Sequence, residues 1–148
     1  MIAKKLLLDG AEFDKKFGSA KAQNQIEAGK WLIKYNQYRI LVERDGCGKI
    51  KYYEVTIYDD ISGMYKHCTV WKHVVDRYKQ RSNKECRKNY WYWIIKDLLS
   101  DSPIVSNVTN VIYHGSVGDK YKTFAYDITD EGTLIYKTFF LRPKKLCK

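Results

Sequence analysis

The sequence has few of the residues that catalytic and metal centres use: three His, four Cys and two Pro among 148 residues. No two cysteines form a C-x-x-C pair, the close spacing that structural zinc sites favour. HExxH, G-x-S-x-G and P-loop patterns are absent, and Gly46-Cys47-Gly48 lacks the remaining glycine of a dinucleotide-binding loop. We therefore expect no metal and no cofactor, and we favour a protein that is not an enzyme.

Long hydrophobic runs are also missing. The amino-terminal segment contains only Leu6-Leu7-Leu8 before Asp9, whereas a signal peptide needs an apolar run of about 7–15 residues. No stretch approaches the roughly 20 apolar residues that cross a membrane as a helix. These absences predict a cytoplasmic protein with reduced thiols and no membrane partner.

Arginine is scarce relative to lysine. The 27 Lys+Arg outnumber the 17 Asp+Glu to give a net charge of +10, yet only six of the basic residues are Arg. Arginine is preferred where a bidentate fork reads a guanine edge, whereas lysine acts as a hydrated point charge. The excess charge therefore predicts electrostatic contact with nucleic acid, or with an acidic surface of a nucleic-acid-binding protein. Codon bias in an AT-rich genome would enrich lysine and tyrosine equally well.

What is present is enough for one folded domain. Hydrophobic residues make up 45% and charged residues 30%, which excludes a disordered chain of low hydrophobicity. The spacing of Ala22, Ile26, Gly29 and Ile33 predicts a helix over about residues 20–35. The other predicted elements are strands at 38–44, 49–60 and 64–71, a helical segment in one or two pieces at 73–100, and strands at 110–117, 121–130 and 134–141.

These elements predict an α+β fold of antiparallel three-stranded meanders with two main helices, in the order helix-βββ-helix-βββ. We expect residues 1–148 to form a single compact domain. At an offset of 71 residues, Lys49, Lys51 and Ile57 align with Lys120, Lys122 and Ile128, so an internal duplication with units of about 19–72 and 83–142 is one interpretation. Two amphipathic hairpins of similar composition are the other. The strand order is also similar to that of an OB-fold, a barrel that binds oligonucleotides.

The densest basic segment lies between residues 77 and 88. It holds six positive residues and one negative, Glu85. In a continuous helix four of them would form a stripe suited to a phosphate backbone, although a capping box at Ser82-Asn-Lys-Glu85 would interrupt it. The alternative is a solvated outer helix face. The predicted binding residues are Arg77, Lys79, Arg81, Lys84, Arg87 and Lys88, with Lys49, Lys51, Lys120 and Lys122 near the hairpins.

Tyrosine is abundant, with 13 residues, and several lie on predicted strands. Between residues 49 and 60, Tyr53, Val55 and Ile57 share one face, while Tyr52 and Tyr58 share the other with Glu54 and Thr56. One face is expected in the core and the other partly exposed. Exposed aromatic residues among lysines are stacking platforms in single-strand-binding proteins and hot spots in protein interfaces, although β-propensity alone also explains them.

Two short histidine motifs are the main sign of an enzyme. His67-Cys-Thr69-Val and His114-Gly-Ser116-Val are H-x-[ST]-apolar tetrads on predicted strands, and the pair is similar to the motif of 2H phosphoesterases. That resemblance implies His67 and His114 as acid and base, with Thr69 and Ser116 holding phosphate. The alternative is two strand histidines that face solvent.

Our preferred interpretation is a non-enzymatic protein that contacts nucleic acid or a nucleoprotein through a basic helix and hairpin surface. The second is an inhibitor of the phage or mobile-element type, anti-CRISPR-like, that binds a host enzyme or defence complex. The 2H-type phosphoesterase is third. The oligomeric state is left open.

Overall fold

The computed structural model describes residues 2–18, 23–45, 52–81, 88–99, 104–105 and 111–146. The helices are α1 (Ile2–Leu8), α2 (Gly10–Phe17), α3 (Lys72–Arg81) and α4 (Tyr90–Leu98). The strands are β1 (Gln23–Glu27), β2 (Lys30–Tyr35), β3 (Tyr38–Arg44), β4 (Tyr52–Asp59), β5 (Tyr65–Trp71), β6 (Ile104–Val105), β7 (Val111–Val117), β8 (Lys120–Ile128) and β9 (Leu134–Pro143). The predicted α+β class with antiparallel strands is confirmed. None of the described helices is long and apolar enough to cross a membrane.

The strands form one mixed sheet in the order β1-β2-β3-β4-β5-β9-β8-β7-β6. Neighbours are antiparallel except β5 and β9, which run parallel with Cys68 beside Leu134. Over the described residues the sheet is open, with β1 and β6 at its edges, so it differs from the closed barrel suggested by the OB-fold comparison. The division into repeat units stays a prediction.

The helix predicted over residues 20–35 is wrong. Residues 23–35 form β1 and β2, joined by a tight turn at Gly29, whose φ is 77°. Trp31, Leu32 and Ile33 are all buried because β2 is covered on both faces of the sheet. A strand covered on both faces lacks the alternation of apolar and polar residues that identifies a half-buried strand. The spacing of Ala22, Ile26, Gly29 and Ile33 therefore matched the pattern of a helix. The predicted order helix-βββ-helix-βββ therefore fails at its first helix, and the first run of strands is β1 to β5 instead of a three-stranded meander.

The remaining helices differ from the prediction in detail. The segment predicted at 73–100 contains α3 and α4, while the capping box at Ser82 lies outside the described residues. Trp91, Ile94 and Ile95 of α4 are fully buried. The sequence analysis missed α1 and α2, although the Asp9 side chain accepts a hydrogen bond from the backbone N–H of Glu12, a capping pattern that is visible in the sequence.

Helices cover the two faces of the sheet unequally. Buried residues of α3 and α4, including Tyr78 and Trp91, pack on one face in the larger core. On the other face, Leu6, Leu7 and Phe13 pack on Leu32 and Leu41 of β2 and β3 in a smaller cluster. The second face of β5, at the centre of the sheet, keeps exposed side chains. The unequal cover determines which residues can meet a partner.

Candidate functional site

In the described part of the predicted basic segment, Lys79 and Arg81 contact different elements. The Lys79 Nζ lies 4.6 Å from the centre of the Tyr90 ring, towards α4. Arg81 instead donates a hydrogen bond to the Phe139 carbonyl of β9 at 3.3 Å, and Arg77 precedes it by one turn. Lys88 is exposed. Lys84 and Arg87 lie outside the described residues, so a continuous stripe from Arg77 to Lys88 stays a prediction.

The hairpin lysines also have different environments. Lys49 and Lys51 lie outside the described residues, and Lys120 is exposed at the start of β8. The Lys122 Nζ lies 3.2 and 3.1 Å from the two carboxylate oxygens of Asp97 in α4. Lys122 therefore joins α4 to β8, a contact that the sequence did not reveal.

Asp97 is at the centre of this internal polar network. Its Oδ2 also accepts a hydrogen bond of 2.7 Å from the Tyr78 hydroxyl. Burial raises the pKa of Asp97 above its ordinary value, although Lys122 and the Tyr78 hydrogen bond act in the opposite direction. The network joins α3, α4 and β8, and it engages the Lys122 charge within the protein.

Four basic residues lie together where β8 begins and β9 ends: Lys120, Arg142, Lys144 and Lys145. We call this group the basic end. Lys120 pairs with Pro143 across the two strands, and Arg142 pairs with Tyr121. The backbone N–H of Lys144 donates to the Asp119 carbonyl at 3.0 Å, and its Nζ lies 5.3 Å from the Tyr121 ring centre. The end of β9 and the 3₁₀ turn Lys144–Leu146 thus extend regular structure beyond the strand predicted at 134–141.

The basic end differs from much of the remaining surface in lacking acidic partners. Among the described residues, none of its four cations forms an ion pair. Most strand cations elsewhere have one: the pairs are Lys30–Glu27, Lys34–Asp14, Arg39–Asp60, Lys122–Asp97 and Lys137–Asp127. Further exposed lysines lie on α1 and α2, including Lys15 and Lys16. The charge at the basic end is thus available to an external anion.

A second surface runs along β5. Tyr65, His67 and Trp71 lie on the face away from α3 and α4, and we call them the aromatic row. Tyr65 is 48% and Trp71 39% exposed. The rings of Tyr65 and His67 are parallel to within 5°, with centres 6.4 Å apart. The Lys137 Nζ lies 5.0 Å from the Trp71 ring centre.

The register explains which tyrosine face is exposed. Tyr58 pairs with Tyr65, and Thr56 with His67, on the face of the aromatic row. On the opposite face Tyr53, Val55 and Ile57 are buried, so the predicted division of β4 into a core face and a more exposed face is confirmed.

A shallow cavity of about 230 Å³ lies beside the aromatic row, under α1. The Thr56 hydroxyl and the His67 Nδ1 lie 3.3 Å apart in its wall, which restrains the imidazole. Apolar side chains of α1 and one ammonium group complete the lining. The described lining residues are Lys4, Leu7, Leu8, Thr56, Tyr65 and His67.

The two histidine tetrads do not converge in this sheet. His67 and Thr69 lie on β5, His114 and Ser116 lie on β7, and β9 and β8 separate those strands. At the usual strand spacing the separation is about 14 Å, too far for one acid–base pair on a small substrate. The side chains of His114 and Ser116 lie outside the description.

The described residues also show no cluster of three His, Cys, Asp or Glu side chains that could hold a metal ion. Cys68 is buried in the core, and burial raises the pKa of its thiol to about 12. A thiol of that kind is a poor nucleophile, since the thiolate is the reactive form.

Comparison with known proteins returns no match to this chain among family models, curated proteins or solved structures. The two surfaces that could meet a partner are the basic end and the aromatic row.

Proposed function

We propose that this is a non-enzymatic, cytoplasmic nucleic-acid-binding protein whose basic end contacts the phosphate backbone. The observation that carries the proposal is that Lys120, Arg142, Lys144 and Lys145 lie at the same end of β8 and β9, without an ion-pair partner among the described residues. Three of the four are lysines, which suit phosphate contact better than the reading of base edges.

Cations of α3 extend this surface in the proposal. Arg81 reaches β9 at Phe139, three residues before Arg142, and Arg77 lies one helical turn earlier. The proposal also keeps exposed Lys88 as a contact, and Lys84, Arg87, Lys49 and Lys51, which lie outside the described residues, as predicted binding residues. Lys122 takes no direct part because it is engaged with Asp97.

The test measures affinity for a short DNA duplex at several salt concentrations. The double variant Lys144→Glu/Lys145→Glu should weaken binding at low salt by at least tenfold. It should also flatten the plot of log affinity against log salt, because each lost phosphate contact removes about 0.9 from the slope. Lys15→Glu/Lys16→Glu on α2 is the matched control, with the same charge change on exposed lysines. Equal loss in the two variants would show that only net charge matters, and the basic end would then not be the site.

A protein partner is the second candidate, and a separate observation favours it. Apolar side chains are exposed at the β4–β5 turn, where Ile61 is 82% and Met64 68% exposed. Ile128 is also exposed, near the β8–β9 turn at the same end of the sheet. Exposed apolar groups of this kind mark protein interfaces, as expected of an inhibitor that binds a host enzyme or defence complex.

The two candidates respond to different substitutions. An inhibitor should lose its target when Ile61→Asp and Met64→Asp are combined, while the charge reversals at Lys144 and Lys145 leave the apolar contact intact. A nucleic-acid-binding protein should instead lose affinity with the charge reversals at Lys144 and Lys145 and keep it when Ile61→Asp and Met64→Asp are combined. The measurement is duplex affinity for both variants, alongside inhibition of a nucleic-acid-processing enzyme.

A further inference from the structure

We infer that the aromatic row binds an unpaired strand of nucleic acid by stacking its bases on Tyr65, His67 and Trp71. The inference rests on the proposed function and specifies its ligand. The inference concerns the aromatic row and the proposed function concerns the basic end, so an experiment can contradict one without the other.

The spacing of the row suits successive bases. Alternate residues of a strand point to the same face, and the six residue-to-residue steps from Tyr65 to Trp71 span roughly 20 Å. That length corresponds to the short end of the ~4–16 nucleotides that single-strand-binding folds contact. The parallel rings of Tyr65 and His67 present flat faces, and every base has a face that can stack on such a ring.

The position of the row in the sheet makes its exposure significant. β5 is the fifth of nine strands, where a second helical layer usually covers apolar side chains. The cover from α1 and α2 instead packs on Leu32 and Leu41 of β2 and β3. Tyr65 and Trp71 therefore stay exposed near the centre of the sheet, and an exposed apolar patch in such a position usually serves binding.

Charge at the cavity end of the row favours an anionic strand. Lys4 lines the cavity beside Tyr65 and His67, whereas Lys137, which lies against the Trp71 ring, is paired with Asp127. The cavity combines an apolar floor from Leu7 with the Lys4 ammonium group, which suits one base and its phosphate at the end of the row.

The row also leads towards the basic end. β5 and β9 run parallel with Val70 beside Tyr136, so Arg142 lies about 20 Å further along the strand direction. Tyr121 precedes Lys122, which faces α4, and alternation along β8 directs Tyr121 to the face of the aromatic row. Lys144 lies over that Tyr121 ring. A strand that leaves the row beyond Trp71 would thus reach the basic end.

An unpaired strand is the occupant that this surface favours over a duplex. The aromatic rings need open base faces, and those faces are covered by neighbouring pairs in a double helix. A protein partner could also pack on the rings, but it would not require Lys4 at one end of the row and the basic end beyond the other.

The experiment compares affinity for a pyrimidine-rich single-stranded DNA with affinity for a hairpin duplex of similar length. Trp71→Ala should lower single-strand affinity about tenfold, the typical effect of losing one stacked base, and leave duplex affinity unchanged. Trp71→Phe should restore most of the loss because it keeps a flat ring. Trp93→Ala, on α4 beyond the opposite face, is the control and should change neither affinity.

Glu54 provides an independent test of the charge on the ligand. It pairs with Thr69 between His67 and Trp71 and is exposed. Glu54→Gln should tighten single-strand binding two- to threefold at low salt, whereas the matched Glu131→Gln at the β8–β9 turn should have no effect.

The outcomes separate the two proposals. Single-strand affinity that survives Trp71→Ala but falls with the charge reversals at Lys144 and Lys145 overturns the stacking inference alone. Absence of binding to either DNA overturns the proposed function. Weaker single-strand binding in Glu54→Gln would also contradict the inference, since removing a negative charge beside a bound anionic strand should tighten binding.

Discussion

Lys122 and Asp97 form an ion pair between β8 and α4, with the Nζ 3.1 Å from Oδ2 and side chains only 13% and 11% exposed. The pair matters for function because it gives two lysines of β8 different environments. Lys122 is engaged inside the protein, while Lys120, two residues earlier on the same face, is exposed. A prediction follows for each of three structural features.

The first prediction concerns the ion pair. Lys122→Met leaves the Asp97 carboxylate buried with the Tyr78 hydroxyl as its hydrogen-bond partner among the described residues, and breaking a buried pair in this way should cost about 3 kcal/mol of unfolding free energy. Without Lys122 the folded protein favours the protonated carboxyl more strongly. Stability of the variant should therefore rise relative to wild type as the pH falls.

Urea unfolding of both proteins across the acidic range measures this effect. The double variant Lys122→Met/Asp97→Leu removes both charges and is the control, with a smaller loss than the single variant. A single variant as stable as wild type at neutral pH would contradict the role of the pair.

The second prediction concerns Gly29 in the β1–β2 turn. Its φ is 77°, and a Cβ would lie 2.3 Å from the Arg44 Cδ. Gly29→Ala combines left-handed strain of about 1 kcal/mol with displacement of the Arg44 side chain. Gly118→Ala is a matched control, because that glycine has a φ of 60° with nothing within 4 Å of an added Cβ. Thermal unfolding should rank Gly29→Ala below Gly118→Ala, and the opposite order would refute the turn geometry.

The third prediction concerns alkaline pH. Burial raises the pKa of the Cys68 thiol from 9.0 to about 12, so between those values the unfolded chain loses a proton that the folded protein keeps. Stability should then fall as the pH rises above about 9, by up to about 1.4 kcal/mol per pH unit from this group. Cys68→Ala removes that contribution and should show a shallower decline. Parallel curves for the two proteins would be inconsistent with a buried thiol.

Local patterns predicted several elements but not what covers them. Tyr38–Arg44 and Tyr65–Trp71 are strands where β-rich composition indicated them, and α4 lies in the segment predicted as helical. Both β3 and β2 are covered on two faces, but only the apolar residues of β2 continue a helical spacing from Ala22 and Ile26, so a helix was predicted there. The local pattern of β2 carries no information on the second layer, which comes from α1 and α2.

The residues of the candidate site also divide into those that the sequence indicated and those that it did not. The sequence identified Lys120 and Arg81 as basic residues and His67 as unusual, but for reasons of composition and motif. It did not identify Trp71, Lys144 or Lys145, because their relation depends on the parallel pairing of β5 with β9 and on the end of β9 beside β8. An R-P-K-K run directly after a strand was the one local signal for the basic end.

The sequence by itself determined the α+β class, the net charge of +10 and the preference for lysine over arginine. These are properties of composition and short-range spacing. Only the tertiary structure determined which charges are paired. Lys122 forms an ion pair with Asp97, which is 25 residues away in the sequence, whereas Lys120 does not pair with it. The tertiary structure also left one face of β5 exposed. Both outcomes depend on contacts between distant segments, which no local pattern specifies.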